Sequence, residues 1–202
     1  MVRLLLIVAA ALAALALSGC GMTITPPAAG TVADPVQVFI ADHGIHTSLV
    51  LPREDGTVVE FAYSRFTWAA LDQDQWYRSL GALLVPGDGA IGTRDFPGPP
   101  TRDSVLQQFE LAGVQPAIKE LYVVPVSGRR CREVIASIEA RGAADLKGGG
   151  PAVDNAKRGL RFVRDPVQYS LGHNCNQEVA AWLRELGCKV EGAAMTADVT
   201  VK

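Results

Sequence analysis

The sequence of residues 36–63 is VQVFIADHGIHTSLVLPREDGTVVEFAY, and it predicts three consecutive β-strands. Val36–Ile40, His46–Leu51 and Thr57–Tyr63 are rich in β-branched and aromatic residues, as expected of buried strands. The Glu54-Asp55-Gly56 stretch between the second and third strands is typical of a hairpin turn. We therefore expect the folded domain to begin near Val36 with an antiparallel sheet.

Helices and further strands are predicted downstream of these three strands. The predicted elements are a helix over Trp68–Leu84, a glycine- and proline-rich loop over residues 86–102, a strand over Lys119–Val126, a helix over Gly128–Ala140 ended by Gly142, a glycine-rich linker over residues 147–157, a strand over Leu160–Tyr169 and a helix over Cys175–Leu186 ended by Gly187. This order predicts a single α+β domain over residues 36–202, in which helices pack on an antiparallel sheet.

Residues 1–19 have the features of a secretory signal peptide. Arg3 precedes the apolar run LLLIVAAALAALAL, which leads into small residues and a cysteine. The run is shorter than the ~20 apolar residues that a membrane span needs. Leu17-Ser18-Gly19-Cys20 resembles the lipobox of bacterial lipoproteins, which implies cleavage before Cys20 and a diacylglycerol thioether on its sulfur. The expected partner is therefore the lipid bilayer, reached through acylated Cys20.

Residues 20–35 are rich in proline, glycine and small residues, and this composition predicts a flexible tether. Gly21 stands where an aspartate would resemble an inner-membrane retention signal, so we expect the outer membrane, with the domain facing the periplasm. Loss of Arg3 with the signal peptide changes the net charge from −2 to about −3. A mildly acidic protein of this kind has no excess of basic residues with which to bind nucleic acid. We predict neither a nucleic-acid partner nor a cofactor.

Three cysteines remain once Cys20 carries lipid: Cys131, Cys175 and Cys188. The compartment beyond the membrane permits disulfides, and an odd number leaves at least one thiol free unless two chains pair. If a disulfide forms, Cys131 with Cys188 is the expected pair, because Cys175 lies in a distinctive motif. The disulfide state is left open by the sequence.

That motif is YSLGHNCNQE, residues 169–178, at the start of the last predicted helix. Asn174 is a favourable N-cap, and Gln177 three residues later completes a capping-box pattern. Cys175 then falls on the first helical turn, where free N–H groups and the helix dipole stabilise a thiolate. The same N–H groups could form part of an oxyanion hole, so the motif predicts a nucleophilic cysteine suited to acyl transfer.

A nucleophilic cysteine needs a base, and the chain contains three histidines. His46 opens a predicted strand directly after a glycine turn, so a rigid sheet could present its ring. His43 lies within the turn, and His173 precedes the helix by two residues and is expected to point elsewhere. His46 is therefore the predicted base.

Two segments, HGIHTSLVLP and YSLGHNCNQEVAAWLRELG, carry a family resemblance. They resemble the circularly permuted branch of the papain-like, NlpC-type cysteine hydrolases, and more narrowly an uncharacterised bacterial family of urease-region conserved hypothetical proteins. The resemblance implies a permuted papain-like arrangement with Cys175 as nucleophile and His46 as base. Family members often have a bulky aromatic residue where this chain has Ile45, and a tryptophan where it has Glu178.

The residue that would orient the imidazole stays open between two candidates. A two-residue Asp55-Gly56 turn places Tyr63 on the His46 face of the hairpin, whereas a three-residue turn beginning at Glu54 places Glu60 there.

The predicted function is a membrane-anchored thiol hydrolase or acyltransferase acting on an envelope amide or ester. Its substrate would be a peptidoglycan peptide or a lipid-linked acyl group. One alternative is a non-catalytic envelope binding lipoprotein. The other is a metal site built from His43, His46, His173 and Cys175.

Overall fold

The computed structural model describes residues 21–73, 85–113 and 117–202, and it confirms an α+β fold. The predicted signal peptide, Cys20 and residues 74–84 of the predicted helix 68–84 lie outside the described residues. The elements are β1 (Met22–Thr25), β2 (Pro35–Asp42), β3 (Thr47–Pro52), β4 (Val58–Arg65), α1 (Phe66–Ala69), β5 (Gly87–Phe96), α2 (Arg102–Leu111), β6 (Glu120–Ser127), α3 (Gly128–Lys147), β7 (Val153–Asn155), β8 (Leu160–Tyr169), α4 (Cys175–Glu185), β9 (Lys189–Glu191) and β10 (Val199–Val201).

The larger sheet has seven strands in the order β6-β2-β3-β4-β5-β8-β7, and every neighbouring pair is antiparallel. Helices cover both faces. Val38, Ile40 and Leu49 pack in one core with α3 and α4, and we call this side the α4 face. Phe39 and Val50 pack with α2 on the other side, which we call the α2 face. Because side chains alternate along a strand, neighbouring residues of β3 point to opposite faces.

The hairpin between β3 and β4 settles which candidate lies on the face of Ser48 and Val50. Val50 pairs with Glu60 and Leu49 with Phe61, and the Arg53 N–H donates to the Thr57 carbonyl across a three-residue turn. Gly56 sits in that turn at φ +83°, a left-handed conformation that favours glycine. Glu60 therefore points to the α2 face, and Tyr63 points to the α4 face.

The strands predicted at 36–40, 46–51, 57–63, 119–126 and 160–169 are all present as β2, β3, β4, β6 and β8. The loop predicted over residues 86–102 is wrong for residues 87–96, which form β5 between β4 and β8, whereas residues 97–101 are a loop. Gly89 and Gly92 lie where an added Cβ would meet the Val167 carbonyl and the Phe162 ring. The glycines thus allow close strand packing, which explains why a loop-like composition forms a central strand.

Three other boundaries differ from the prediction. The helix predicted from Trp68 instead covers Phe66–Ala69, and residues 70–73 are not helical. Gly142 does not end α3, which continues to Lys147, since Gly142 packs against the side chain of Val163, where a larger residue would collide. Part of the predicted linker 147–157 forms the short edge strand β7. In contrast, α4 begins at Cys175 as predicted, and Gly187 follows it at φ +95°.

Part of the predicted tether belongs to the folded domain. Residues 22–25 form β1, the middle strand of a second sheet, which pairs in parallel with β10 and antiparallel with β9. Met22 and Ile24 are buried in the main core with α4. The prediction of a flexible segment through residue 35 is therefore wrong for residues 22–25, because their partners lie near the other end of the chain.

Cys131, Cys175 and Cys188 are free and buried, so the Cys131–Cys188 pair does not form. Burial raises the pKa of the Cys131 thiol to about 12 and that of Cys188 to about 11. Within the described ranges, no helix combines the length and apolar character needed to cross a membrane.

Candidate functional site

The N-terminus of α4 has the predicted capping box. The Asn174 side-chain oxygen accepts the Asn176 and Gln177 N–H groups at 3.0 and 3.1 Å, and the Gln177 side chain accepts the Asn174 N–H at 2.9 Å. Reciprocal bonds of this kind satisfy amides that have no partner within the helix. Cys175 is therefore held on the first turn of a well-defined helix.

The Cys175 thiol lies among hydrogen-bond donors in a buried position. Burial raises its pKa to about 11, while the N–H of Asn176, the hydroxyl of Tyr169 and the N–H groups of Cys175 and Thr47 favour the thiolate and oppose that rise. The thiol is consequently neutral at rest. These four donors nevertheless surround the sulfur with groups that would stabilise negative charge there or on an adjacent oxygen.

The turn at residues 43–46 and the start of α4 meet directly in space. The Thr47 N–H and hydroxyl both donate to the Asn176 side-chain oxygen, at 2.9 and 3.0 Å. The turn itself is closed by a bond from the His43 N–H to the His46 carbonyl, with Gly44 at φ +87°. The two segments singled out in the sequence, 129 residues apart, therefore lie side by side.

His46 lies on the α2 side of this junction. Its half-buried ring stacks on His43, with centroids 4.5 Å apart and planes within 9°. Burial, then the neighbouring His43 and then Arg158, lower the pKa of His46 to about 3. The imidazole is therefore neutral at physiological pH in this position.

Cys175 and His46 reach the same end of the sheet from opposite sides of β3. Cys175 contacts Thr47 and Tyr169 on the α4 face, whereas His46 contacts His43 on the α2 face. Among the hydrogen bonds of the described chain, none joins the Cys175 sulfur to the His46 ring.

A polar cluster continues from His43 into the α2 face. The His43 Nε2 lies 3.2 Å from the Ser48 hydroxyl, which donates to a Glu60 carboxylate oxygen at 2.7 Å. Arg94, directly across from Glu60 on β5, donates to the second carboxylate oxygen from both Nε and Nη2. His43, Ser48 and Glu60 are buried, so the Arg94 charge offsets a carboxylate that burial would otherwise penalise heavily.

A second polar cluster lies on the α4 face beside Cys175. Glu178, buried on α4, is bound by Arg141, which also binds buried Asp165. The His173 Nε2 lies 2.8 Å from a Glu178 oxygen, but the two groups are not aligned as a hydrogen bond. His173 therefore packs against Tyr63 and Glu178 and provides a second imidazole near the start of α4.

Several members of these clusters were missed at the sequence level. Tyr169 lies at the edge of the quoted motif and could have been proposed from its closeness to Cys175. Ser48 is two residues after His46, so the alternation of side chains along a strand places both on one face, and Ser48 could have been proposed on that ground. Arg94 and Arg141 have no local signal, since each gains its role from a strand or helix far away in the chain.

The four residues considered for a metal site do not form a ligand set. His43 and His46 lie on the α2 side, and His173 and Cys175 on the α4 side. Within residues 21–73, 85–113 and 117–202, no group of three or more histidine, cysteine, aspartate or glutamate side chains has the geometry to hold a metal ion.

No protein-family model matches the chain, and neither the search of curated proteins nor that of solved structures finds a match.

Proposed function

We propose that this protein is a membrane-anchored lipoprotein whose Cys175 attacks an envelope amide or ester, with His46 as the base. The observation that carries this proposal is the bond between Thr47 and Asn176, which joins the histidine turn to the start of the cysteine helix. A chain that brings a buried thiol, four hydrogen-bond donors and a neutral imidazole to one end of a sheet has the parts that acyl transfer requires.

The chemistry follows from these parts. The Cys175 sulfur forms a bond to the substrate carbonyl carbon as the imidazole takes the thiol proton, and the carbonyl oxygen gains negative charge beside the helix N–H groups. Collapse of this intermediate breaks the bond to the alcohol or amine, which leaves with the proton returned by the imidazole. Water, or a second alcohol in an acyltransferase, then gives its proton to the imidazole and attacks the thioester carbon; the C–S bond breaks, the acyl group leaves as the acid or the new ester, and the imidazole returns the proton to the sulfur.

In this mechanism the His46 ring must leave its stack on His43 and turn towards the sulfur. The turn that carries it has exposed residues at its tip, Gly44 and Ile45, and is closed by the His43–His46 main-chain bond and by the Gly44 N–H, which donates to the Asp42 carboxylate at 2.6 Å. Hydrogen bonds at catalytic centres are often long without substrate and tighten when it binds. The permuted papain-like arrangement implied by the family resemblance is part of the same proposal.

Glu60 is the better candidate for orienting the imidazole pair. It reaches His43 through the Ser48 hydroxyl, and its carboxylate oxygen lies 3.8 Å from the His43 Nε2. Tyr63 instead donates to the Val167 carbonyl and stacks on Tyr169, on the α4 face. Tyr63 therefore belongs to the surroundings of Cys175, and Glu60 to those of the histidines.

Labelling with an electrophilic thiol probe tests the proposal. We expect the probe to modify the wild-type chain, and Cys175→Ala to abolish both the labelling and any thioesterase or esterase turnover. Cys188→Ala is the matched control, because Cys188 is also buried but has no hydrogen-bond donors acting on its pKa. Equal labelling of wild type and Cys175→Ala would refute the proposal.

A non-catalytic binding lipoprotein is the second candidate. It is favoured by the absence of a hydrogen bond between the Cys175 sulfur and the His46 ring among the described residues. In that case Cys175→Ala would leave ligand binding intact, and the wild-type thiol would react no faster than Cys188.

A further inference from the structure

The start of the folded domain is attached closely to the region around Cys175. The Gly21 carbonyl accepts the Ala194 N–H at 3.2 Å, and the Met22 N–H donates to the Asp198 carbonyl at 2.8 Å. An added Cβ on Gly192 would lie 2.3 Å from the Gly21 oxygen, so the contact is tight. The chain is therefore fixed to the domain from Gly21 onward, and no slack remains between residue 21 and β1.

The segment that holds Gly21 also holds the start of α4. The Met195 sulfur accepts the side-chain amides of Gln177 at 3.3 Å and Asn174 at 3.9 Å. Asn174 is the residue immediately before Cys175. Gly21 and the start of α4 are thus bonded to consecutive residues, Ala194 and Met195, which places Gly21 near the end of the domain where α4 begins.

Two exposed apolar side chains lie at the tips of the loops that border Cys175. Ile45 is 78% exposed in the turn that leads into Thr47, and Leu171 is 44% exposed in the Ser170–His173 turn that leads into α4. Exposed aliphatic side chains are favourable in a lipid interface, where their apolar surface leaves water.

We infer that this end of the domain lies against the lipid bilayer, with Ile45 and Leu171 in contact with lipid, and that the acyl group attacked by Cys175 is carried by a lipid of the same membrane. The inference rests on the proposed lipid anchor at Cys20 and, for the substrate, on the proposed function. Cys20 is one residue from Gly21, and consecutive Cα atoms are about 3.8 Å apart. An anchor at that position keeps the domain within a few ångströms of the headgroups. At that distance a soluble peptide has no better access to Cys175 than a membrane lipid has.

The contact can be measured on the full, lipidated chain in vesicles of phosphatidylethanolamine and phosphatidylglycerol. Ile45→Cys and Leu171→Cys are each labelled with an environment-sensitive fluorophore in the Cys175→Ala background, in which the remaining thiols of the described chain are buried. Glu54→Cys is the control, because it lies in the turn at the far end of β3, roughly 25 Å away at about 3.3 Å per residue. The unsubstituted Cys175→Ala chain measures background labelling.

We expect quenching by spin-labelled lipids at positions 45 and 171 and none at position 54. A flexible insertion of about fifteen glycine and serine residues between Cys20 and Gly21 should reduce the quenching at both sites. Equal quenching at all three positions, quenching unaffected by the insertion, or an intact mass showing unmodified Cys20 would overturn the inference. Because these variants lack Cys175, the result is independent of whether the thiol is catalytic.

The substrate is tested separately on the active chain. We expect the insertion to slow hydrolysis of a long-chain lipid ester in vesicles severalfold while turnover of a soluble short-chain ester is unchanged. Equal effects on both substrates would overturn the substrate assignment without bearing on the nucleophile, and absence of turnover on either substrate would count against the proposed function.

Discussion

The surroundings of Cys175 and His46 differ in how they respond to charge, although both residues lie at one end of the same sheet. Burial disfavours the charged form of each, raising the pKa of the thiol and lowering that of the imidazole. Around Cys175, main-chain N–H groups and the Tyr169 hydroxyl oppose that effect. Around His46, the neighbouring His43 and Arg158 reinforce it. The donors around the thiol therefore reduce the cost of negative charge there without overcoming burial, whereas neither of the neighbours named around the imidazole reduces the cost of positive charge.

This difference indicates where the proposed reaction meets its barrier. A thiolate–imidazolium pair cannot form in advance, because the imidazole does not hold a proton at neutral pH. Proton transfer must accompany attack, once the ring has moved from the α2 side towards the sulfur. His173 lies on the same face as Cys175, beside Glu178, and is the other imidazole that could take the thiol proton.

The largest expected effect comes from replacing His46, the proposed base, and comparing the result with replacement of His173. His46→Gln should lower turnover about 10²–10⁴-fold, as expected for loss of a general base, with little change in KM. His173→Gln is the matched control and should retain most of the activity. Steady-state kinetics over a range of pH measure both variants. A greater loss in His173→Gln would assign the base to the α4 face and remove His46 from the mechanism.

An intermediate effect is expected on stability in acid. The folded-state pKa of His46 is about 3, below its unfolded value of 6.5, so below pH 6.5 the unfolded chain binds a proton that the folded chain does not. The free energy of unfolding should therefore fall as pH decreases from 6.5 towards 3, by at most a few kcal/mol for this half-buried ring. His46→Gln should remove that part of the decline.

Denaturant titrations of wild type and His46→Gln at pH 7, 5 and 4 provide the measurement. Subtracting the two curves removes the contribution of the carboxylates, which titrate in both proteins. Parallel curves across this range would show that the His46 ring is solvated and that the contrast with Cys175 is smaller than the structure indicates.

The smallest effect is expected from the Tyr169 hydroxyl. Tyr169→Phe keeps the ring that stacks on Tyr63 but removes the hydroxyl that lowers the pKa of Cys175, so that pKa should rise further. We expect reaction with an electrophilic probe to slow about three- to tenfold at neutral pH, and its pH profile to move to higher pH. Tyr122→Phe, on β6, should have no effect. An unchanged pH profile in Tyr169→Phe would place the hydroxyl outside the thiol's surroundings.

Local elements of this protein could be predicted from local patterns. The capping residues Asn174 and Gln177 identified the first residue of α4, and alternating β-branched residues identified β2, β3 and β4. Cys175 could be placed on the first helical turn for the same reason. β5 could not be recognised from the sequence, because its glycines are typical of a loop. Only the tertiary structure shows that Phe162 and Val167 on the neighbouring strand require small residues at those positions.

The candidate site was predictable only in part. That residues 43–47 meet residues 174–176 was predicted from the pairing of Cys175 with His46 as its base, and the bond between Thr47 and Asn176 shows that the two segments meet. Which side of β3 each side chain occupies did not follow, because a change of one residue in the hairpin turn moves Glu60 and Tyr63 to opposite faces.

By itself, the sequence determined the antiparallel core strands, the helix that begins at Cys175 and its capping box, because each depends on interactions spanning only a few residues. The tertiary structure decided that Arg94 pairs with Glu60, that His46 stacks on His43 on the side away from Cys175, and that Gly21 bonds to Ala194, next to the Met195 that contacts the start of α4. Those outcomes depend on strand register and on contacts between distant segments, for which a local pattern of residue types carries no information.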